Sequence, residues 1–210
     1  MRQRLWLAVA ICLCLGMSSL AHAWQEEVFA QTRRWEHIST DMAQSRRADA
    51  LSTLSEEAAA LAQANPDVSE VLINQGIILA SLARETGGLD ALGPAKQARR
   101  VLERAIELDP QGRQGSAHVT LGALYARAPG WPVAFGDDET AEAMFQRALE
   151  LQPQGIAAHY YYAVFLADEG RDAQALEHAR QAREGEARAS VTAWDETLRE
   201  RSAGLVDELK

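Results

Sequence analysis

The apolar positions of this chain recur with helical spacing near both ends. Because residues three or four apart share one face of a helix, each stripe predicts an amphipathic helix with one buried side. The stripes comprise Val28, Trp35, Ile38 and Met42; Leu51, Leu54, Ala58 and Leu61; and Val191, Trp194, Leu198, Leu205 and Leu209. No segment alternates apolar and polar residues with a period of two. The pattern therefore predicts an all-α fold.

Two predicted helix ends in the centre of the chain repeat each other. The segment ERAIELDPQG at 103–112 matches QRALELQPQG at 146–155 in seven of ten positions. Both segments contain a proline, which lacks an amide hydrogen and ends a helix. Since a single short helical unit cannot bury its apolar face alone, this repetition predicts units that stack on one another.

The residues around these helix ends resemble the tetratricopeptide repeat, a 34-residue helix–turn–helix unit. Three successive copies place small and large apolar residues at the signature positions of that repeat, and the first two also place its closing proline. They are Gly76, Leu79, Ala98, Leu102, Ala105 and Pro110; Leu121, Gly122, Tyr125, Ala141, Phe145, Ala148 and Pro153; and Tyr162, Ala163, Leu166, Ala175, Ala179 and Ala182. The resemblance implies a helical solenoid of about three to four helix pairs. Repeats at 68–187 would follow a degenerate pair at 24–67 and precede a capping helix at 188–210.

The spacing within the copies reveals two insertions. The separations are 22 residues from Gly76 to Ala98, 19 from Gly122 to Ala141 and 12 from Ala163 to Ala175. The excess residues form insertions at 85–94 and 128–137, each between the two helices of its unit. Stacking places equivalent turns along one edge, so we expect the insertions to be neighbours on a binding side.

The second insertion contains the candidate residues of this edge, Trp131, Phe135 and Asp137. Trp131 and Phe135 require either an apolar surface of the protein or a ligand, and the sequence leaves both open. Asp137 or Asp138 is expected to cap the helix that starts near Glu139.

The second insertion and the helix after it also resemble the TatT-like accessory components of TRAP-type transporters. The resemblance is carried by Pro129, Gly130, Trp131, Pro132, Phe135, Gly136, Asp137, Pro153, Gly155 and the cluster Tyr160 to Tyr162. It implies a periplasmic helical scaffold that helps to pass a small solute, including an apolar one, to a membrane transporter complex. The lipoprotein members of the group carry a lipidation cysteine, from which this sequence departs.

The N-terminus predicts export. Arg2 and Arg4 precede a short apolar segment, and Ala21 to Ala23 provides the small residues that signal peptidase requires. This is the pattern of a secretory signal peptide at 1–23, cleaved after Ala23 to leave a periplasmic protein. The alternative is a retained membrane anchor, because the apolar segment approaches the minimum length that spans a bilayer.

Charge and cysteine content narrow the chemistry. Loss of Arg2 and Arg4 with the signal peptide changes the formal net charge from −9 to −11, which makes nucleic acid a poor partner. Both cysteines, Cys12 and Cys14, lie within the predicted signal peptide. The mature chain would therefore have no disulfide, thiol nucleophile or cysteine-ligated metal. No phosphate-binding loop or metal motif indicates a cofactor, and the sequence predicts a non-enzymatic binding or scaffold protein, associated either with a transporter or with envelope assembly.

The repeat resemblance also implies a concave groove lined by the first helix of each unit. The candidate lining residues are Ile73, Ile77, Val119, Ala123, Tyr160 and Val164. A groove this apolar is either a site for an apolar small molecule or an amphipathic protein segment, or a surface covered by the N-terminal helices or by another subunit.

The sequence is also compatible with two other functions. His118 and His159 occupy equivalent places in successive units. They could belong to a metal-dependent or hydrolytic enzyme, although histidines at such places are more often structural. A purely structural subunit that fills its groove by homo-oligomerisation is the third interpretation.

Overall fold

The computed structural model describes residues 23–210 and consists of helices joined by short turns. The predicted signal peptide, including Cys12 and Cys14, lies outside this range except for its last residue. The first helix, α1, covers residues 23–40. It is followed by α2 (Gln44–Ala64), α3 (Ser69–Thr86), α4 (Leu92–Leu108), α5 (Ser116–Arg127), α6 (Asp138–Leu151), α7 (Ile156–Asp168), α8 (Asp172–Glu184) and α9 (Thr192–Glu208). The prediction of an all-α fold is confirmed.

Consecutive helices form three hairpins: α3 packs on α4, α5 on α6, and α7 on α8. The first helices of these hairpins also contact one another in the order α3, α5, α7. This arrangement produces a stack in which α3, α5 and α7 share one side. The predicted stacking of helix pairs agrees with it, while the assignment to the tetratricopeptide repeat itself stays a prediction.

Two glycines allow the hairpins to pack closely. A β-carbon added to Gly122 would lie 2.7 Å from Cε1 of Phe145, and one added to Gly76 would overlap Leu102. Phe145 and Leu102 are almost fully buried, so neither ring nor branched side chain has room to move. Any side chain at Gly76 or Gly122 would therefore push the two helices of its hairpin apart.

The two repeated helix ends behave as their sequences predict. Helix α4 ends at Leu108 and α6 ends at Leu151, each two residues before a proline. The insertions, in contrast, differ from each other. Residues 85–86 of the first insertion extend α3 and residues 92–94 begin α4, which leaves only 87–91 between the helices. The whole of 128–137 lies outside helices, and its only extended pairing is an isolated bridge between Gly130 and Gly136.

The final helix packs on α7 and α8, as a capping helix would. Its first turn also reaches the opposite end of the chain. The rings of Trp35 on α1 and Trp194 on α9 meet edge to face with centroids 5.3 Å apart. The amide of Trp194 donates a hydrogen bond of 3.1 Å to Oε1 of Glu36. Helices α1 and α9 therefore contact each other directly, whereas the two ends of a linear solenoid would lie apart.

Candidate functional site

The concave side of the stack contains a cavity of about 640 Å³ between α1, α3, α5, α7 and the segment that leads into α9. Its walls are mainly apolar and come from residues far apart in sequence. Among them are Trp35, Ile77, Ala80, Val119, Ala123, Leu124, Tyr161, Val191 and Trp194. Polar residues of the wall include Thr32, Asn74, Ser81, Arg113 and Ser116. The volume lies within the range of sites that hold small molecules.

The first and last helices of the described residues, α1 and α9, both contribute to this cavity. Trp35 and Trp194 line it, and their edge-to-face contact covers part of it. Nε1 of Trp35 donates a hydrogen bond of 2.8 Å to Oγ of Ser81 on α3, which fixes the indole ring on the wall. Thr32 and Gln31 of α1 are likewise bonded to Asn74 of α3. Helix α1 therefore lies on the apolar side of α3, and a cavity remains beside it.

The six predicted groove residues divide into two groups. Ile77, Val119 and Ala123 line the cavity, as expected from their places on α3 and α5. Ile73 is fully buried in the core, while Tyr160 and Val164 are partly buried on α7 and lie outside the cavity wall.

On α7 the wall is formed instead by Ala157, Ala158 and Tyr161. The ring of Tyr161 packs edge to face on Tyr160, with centroids 5.2 Å apart. The cavity therefore includes predicted groove residues of α3 and α5, whereas on α7 it is lined by other residues than those predicted.

Both insertions contribute to one end of the cavity, which we call its mouth. Residues 87–89 of the first insertion and Ala128 and Pro129 of the second all contribute to its wall. Leu89 and Trp131 are the most exposed large apolar residues of the described chain, with 79% and 89% of their surfaces exposed. The two segments that interrupt the repeat pattern thus line the same cavity, and their role as a binding edge stays a prediction.

The second insertion is a folded loop. The amide of Gly136 donates to the carbonyl of Pro129 and that of Asp137 donates to Tyr125, at 2.9 and 3.1 Å. Phe135 packs against the ring of Tyr125 at 5.4 Å and beneath the guanidinium of Arg99 at 4.7 Å. Phe135 therefore packs on the protein itself.

The other two candidates of this edge differ from Phe135. Trp131 is left exposed. Asp137 caps α6, since its Oδ1 accepts a 2.7 Å hydrogen bond from the amide of Thr140. The predicted cap is confirmed. Hydrogen bonds from the side chain and the amide of Thr140 lower the pKa of the Asp137 carboxyl.

A buried ion pair holds the segment between α8 and α9 against the cavity. Asp195 is fully buried and accepts three hydrogen bonds from Arg188, from the amide at 2.8 Å, from Nε at 2.9 Å and from Nη2 at 2.7 Å. Nη1 of Arg188 lies 3.5 Å from Oγ of Ser116 on α5. The pair therefore fixes residues 188–195, which bring Val191 and Trp194 to the wall.

The predicted pair of His118 and His159 does not come together as a site. Nδ1 of His159 lies 2.9 Å from Nδ1 of His178 on α8, and its Nε2 lies 2.9 Å from the carbonyl of Pro153. His118 is buried separately, and its Nδ1 lacks a hydrogen-bond partner among the described residues. Within residues 23–210 there is no group of three His, Cys, Asp or Glu side chains that could hold a metal ion.

The histidine pair has a defined proton arrangement. The carbonyl of Pro153 can only accept, so Nε2 of a neutral His159 carries the hydrogen, and its Nδ1 accepts a hydrogen bond from the Nδ1–H of His178. Burial lowers the pKa of His159, His178 and His118, and for His178 the nearby charge of His159 lowers it further. The folded protein therefore disfavours protonation of all three rings.

Acidification is expected to destabilise the protein from about pH 6.5 downward, near the ordinary pKa of histidine. Because the folded-state pKa values lie below the unfolded ones, the histidine contribution is fully present above that pH and is lost as the pH falls. Urea unfolding at pH 7.5 and 5.0 measures this effect. The variant His178→Gln should show a smaller difference between the two pH values, and an unchanged difference would contradict the assignment to this pair.

None of the helices in residues 23–210 has both the length and the apolar character needed to cross a membrane. Comparison with known families matches residues 27–184 to the model of the TRAP transporter T-component. The match includes the helices that form most of the cavity, both insertions and the histidine pair. No curated protein matches the chain. With most of its length covered by one family model, the chain belongs to the TRAP transporter T-component family.

Proposed function

We propose that this protein is a periplasmic, non-enzymatic accessory of a TRAP-type transporter and that it binds a small molecule in the cavity beside α3, α5 and α7. The observation that carries the proposal is the cavity of about 640 Å³ on the concave side, in a chain of the T-component family. The apolar wall provides the favourable free energy of burial, and the few polar groups orient the ligand.

The shape of the site favours a small molecule over a protein segment. An α-helix with its side chains is about 10–12 Å across and needs a long open groove. Here Trp35 and Trp194 cover the concave side, and both ends of the chain would have to separate to admit a helix. A small molecule could enter at the mouth, between the two insertions, without that rearrangement.

A protein partner remains part of the proposal at a different place. The mouth presents Trp131 and Leu89 to solvent, next to the route into the cavity. A transporter subunit that docks there would receive the ligand directly. Cross-linking in whole cells between a photoreactive residue at position 131 and a TRAP solute-binding or membrane subunit tests this accessory role separately from ligand binding.

Filling the cavity should remove the bound small molecule. Val119 lies on the wall in the first turn of α5, so Val119→Trp would occupy the space with an indole ring. Native mass spectrometry of protein from the periplasm should show an added small mass on the wild type and little on this variant. The matched control is Val133→Trp, since Val133 is exposed and outside the wall. A ligand-free wild type, or a ligand retained by Val119→Trp, would contradict the proposal.

A further inference from the structure

The charges on the cavity wall are all of one sign. The wall contains four arginines, Arg84, Arg113, Arg127 and Arg188, and no aspartate, glutamate or lysine from the described residues. The chain as a whole carries a formal net charge of −9. A site with the opposite sign to its protein is not explained by general surface charge, and its wall would attract an anion.

Three of these arginines have evident roles. Arg188 pairs with the buried carboxylate of Asp195 at 2.7 Å. Arg84 pairs with Glu85 at 3.1 Å and lies over the ring of Trp194 at 5.4 Å. Arg127 is exposed at the C-terminal end of α5, where water can solvate it and the helix dipole favours a cation.

Arg113 has no such role. It lies in the turn between α4 and α5, and its Nη1 is buried with no hydrogen-bond partner among the described residues. Burial lowers the pKa of its guanidinium, and the positive charge of Arg188 lowers it further. The negative charge of Glu70 raises the pKa of Arg113, but Glu70 is exposed. The residue as a whole is partly exposed, but a buried guanidinium nitrogen that lacks a partner carries an unmet desolvation penalty, which an anion in the cavity would offset.

The local backbone holds this side chain in place. Arg113 and Gln114 both have left-handed conformations, with φ of 48° and 53°, although neither is a glycine. Such conformations are unfavourable for residues with a β-carbon and persist where the surrounding structure imposes them. Gly112 behind this turn is in contact with Ser69 and Ile73 of α3. The turn is therefore fixed against α3, with Arg113 on the cavity wall.

We propose that the cavity binds an amphipathic monoanion, with its carboxylate on Arg113 and its apolar body along the wall formed by α3, α5 and the two tryptophans. This inference rests on the proposed function, since it names the class of small molecule that the cavity takes. The planar guanidinium matches a carboxylate, and the positive end of the α5 dipole at Ser116 lies at the same end of the cavity. One unpaired guanidinium balances one negative charge, whereas a phosphate monoester would bring nearly two.

The wall beyond Arg113 suits an apolar body. Helix α5 runs from Ser116 beside Arg113 to Arg127 at the mouth, which is a length of about 17 Å for its residues. Val119 and Ala123 lie between these ends on α5, with Ile77 facing from α3. A ligand with its head at Arg113 would therefore place its apolar part in the middle of the cavity and its far end near the insertions.

The test uses isothermal titration of the whole purified protein, freed of bound lipid, with three probes. Octanoate combines a carboxylate with an alkyl chain. Octan-1-ol has the alkyl chain with an uncharged hydroxyl, and acetate has the carboxylate without the chain. We expect octanoate to bind at least about tenfold more tightly than octan-1-ol, because hydrogen bonds to a charged group contribute more than neutral ones. Acetate should not bind measurably.

Arg113→Met removes the charge and keeps an apolar side chain. It should weaken octanoate about tenfold or more while leaving octan-1-ol within about twofold. Arg113→Lys should retain part of the preference, because it keeps the charge without the planar fork. The matched control, Arg180→Met, removes an exposed arginine of α8 outside the cavity wall and should bind all probes as the wild type does. Circular dichroism confirms that each variant is folded.

The outcomes separate the two proposals. If octan-1-ol binds as well as octanoate, or if Arg113→Met keeps the preference for octanoate, the anion site is wrong and the binding cavity stands. If neither octanoate nor octan-1-ol binds to the wild type, the anion site is wrong, and the proposed binding function loses support with it. If Arg113→Met does not fold, Arg113→Lys provides the test. An octanoate preference as large as that of the wild type would contradict a carboxylate bound by the planar guanidinium.

Discussion

Trp35→Ala is expected to destabilise the protein by about 3–5 kcal/mol, the range for removing a buried aromatic side chain. Only 6% of the surface of Trp35 is exposed. The substitution removes the ring contact with Trp194, the hydrogen bond to Ser81 and the packing of α1 on the cavity wall. Urea unfolding followed by far-ultraviolet circular dichroism measures the effect as a lower midpoint at an unchanged slope.

The chain contains a matched control for this substitution. Trp131 is the same residue type, but 89% of its surface is exposed in the second insertion. Trp131→Ala should change the free energy of unfolding by no more than about 0.5 kcal/mol. Comparable losses from the two substitutions would mean that the tryptophan pair does not hold the ends of the stack together.

The contact between Trp35 and Trp194 is expected to affect ligand binding in the cavity as well as the stability of the protein. The cavity wall includes Trp35 and Trp194, so Trp35→Ala should also open the concave side to solvent. Ligand release should then become faster, because the covering ring no longer blocks the way out. Trp131→Ala leaves this cover intact and would alter only contacts made at the mouth.

The helices and their pairing could be predicted from the sequence because they depend on local spacing. Gly76 and Gly122 recur at equivalent places, and the structure shows them against Leu102 and Phe145 of the facing helices. Proline and aspartate mark helix ends through their own backbone chemistry, as at Asp137. Such signals act over a few residues and can be recognised without knowing the fold.

The cavity could be predicted only in part, because its cover depends on contacts between distant residues. Trp35 and Trp194 each lie on an apolar stripe, and a stripe shows that a residue is buried without showing against what. The segment PQGRQG, which contains Arg113, is typical of a turn after a helix. Nothing in it indicates that its arginine lies on a cavity wall with Nη1 buried, since burial of a turn residue is decided by tertiary packing.

The second large effect is expected at the ion pair between α8 and α9. Asp195→Asn should destabilise the protein by about 2–4 kcal/mol, somewhat below the usual range for breaking a buried pair. The asparagine keeps the shape but loses the charge that accepts three hydrogen bonds from Arg188. About a quarter of the Arg188 side chain is exposed, so water compensates part of the loss. Thermal unfolding by calorimetry, repeated at several scan rates, measures the difference.

Asp207→Asn is the matched control for Asp195→Asn, because it makes the same chemical change at an exposed ion pair. Asp207 also pairs with a cation, Lys210, at 2.7 Å, but 74% of its side chain is exposed. Exposed pairs contribute about 0–1 kcal/mol, so the same chemical change should have little effect there. A double variant of Asp195→Asn with Arg188→Met should lose less stability than the sum of the two single variants, because the two side chains act as one unit. Strict additivity would show that Asp195 stabilises the segment without Arg188, and the ion pair would not be what holds residues 188–195 against the cavity.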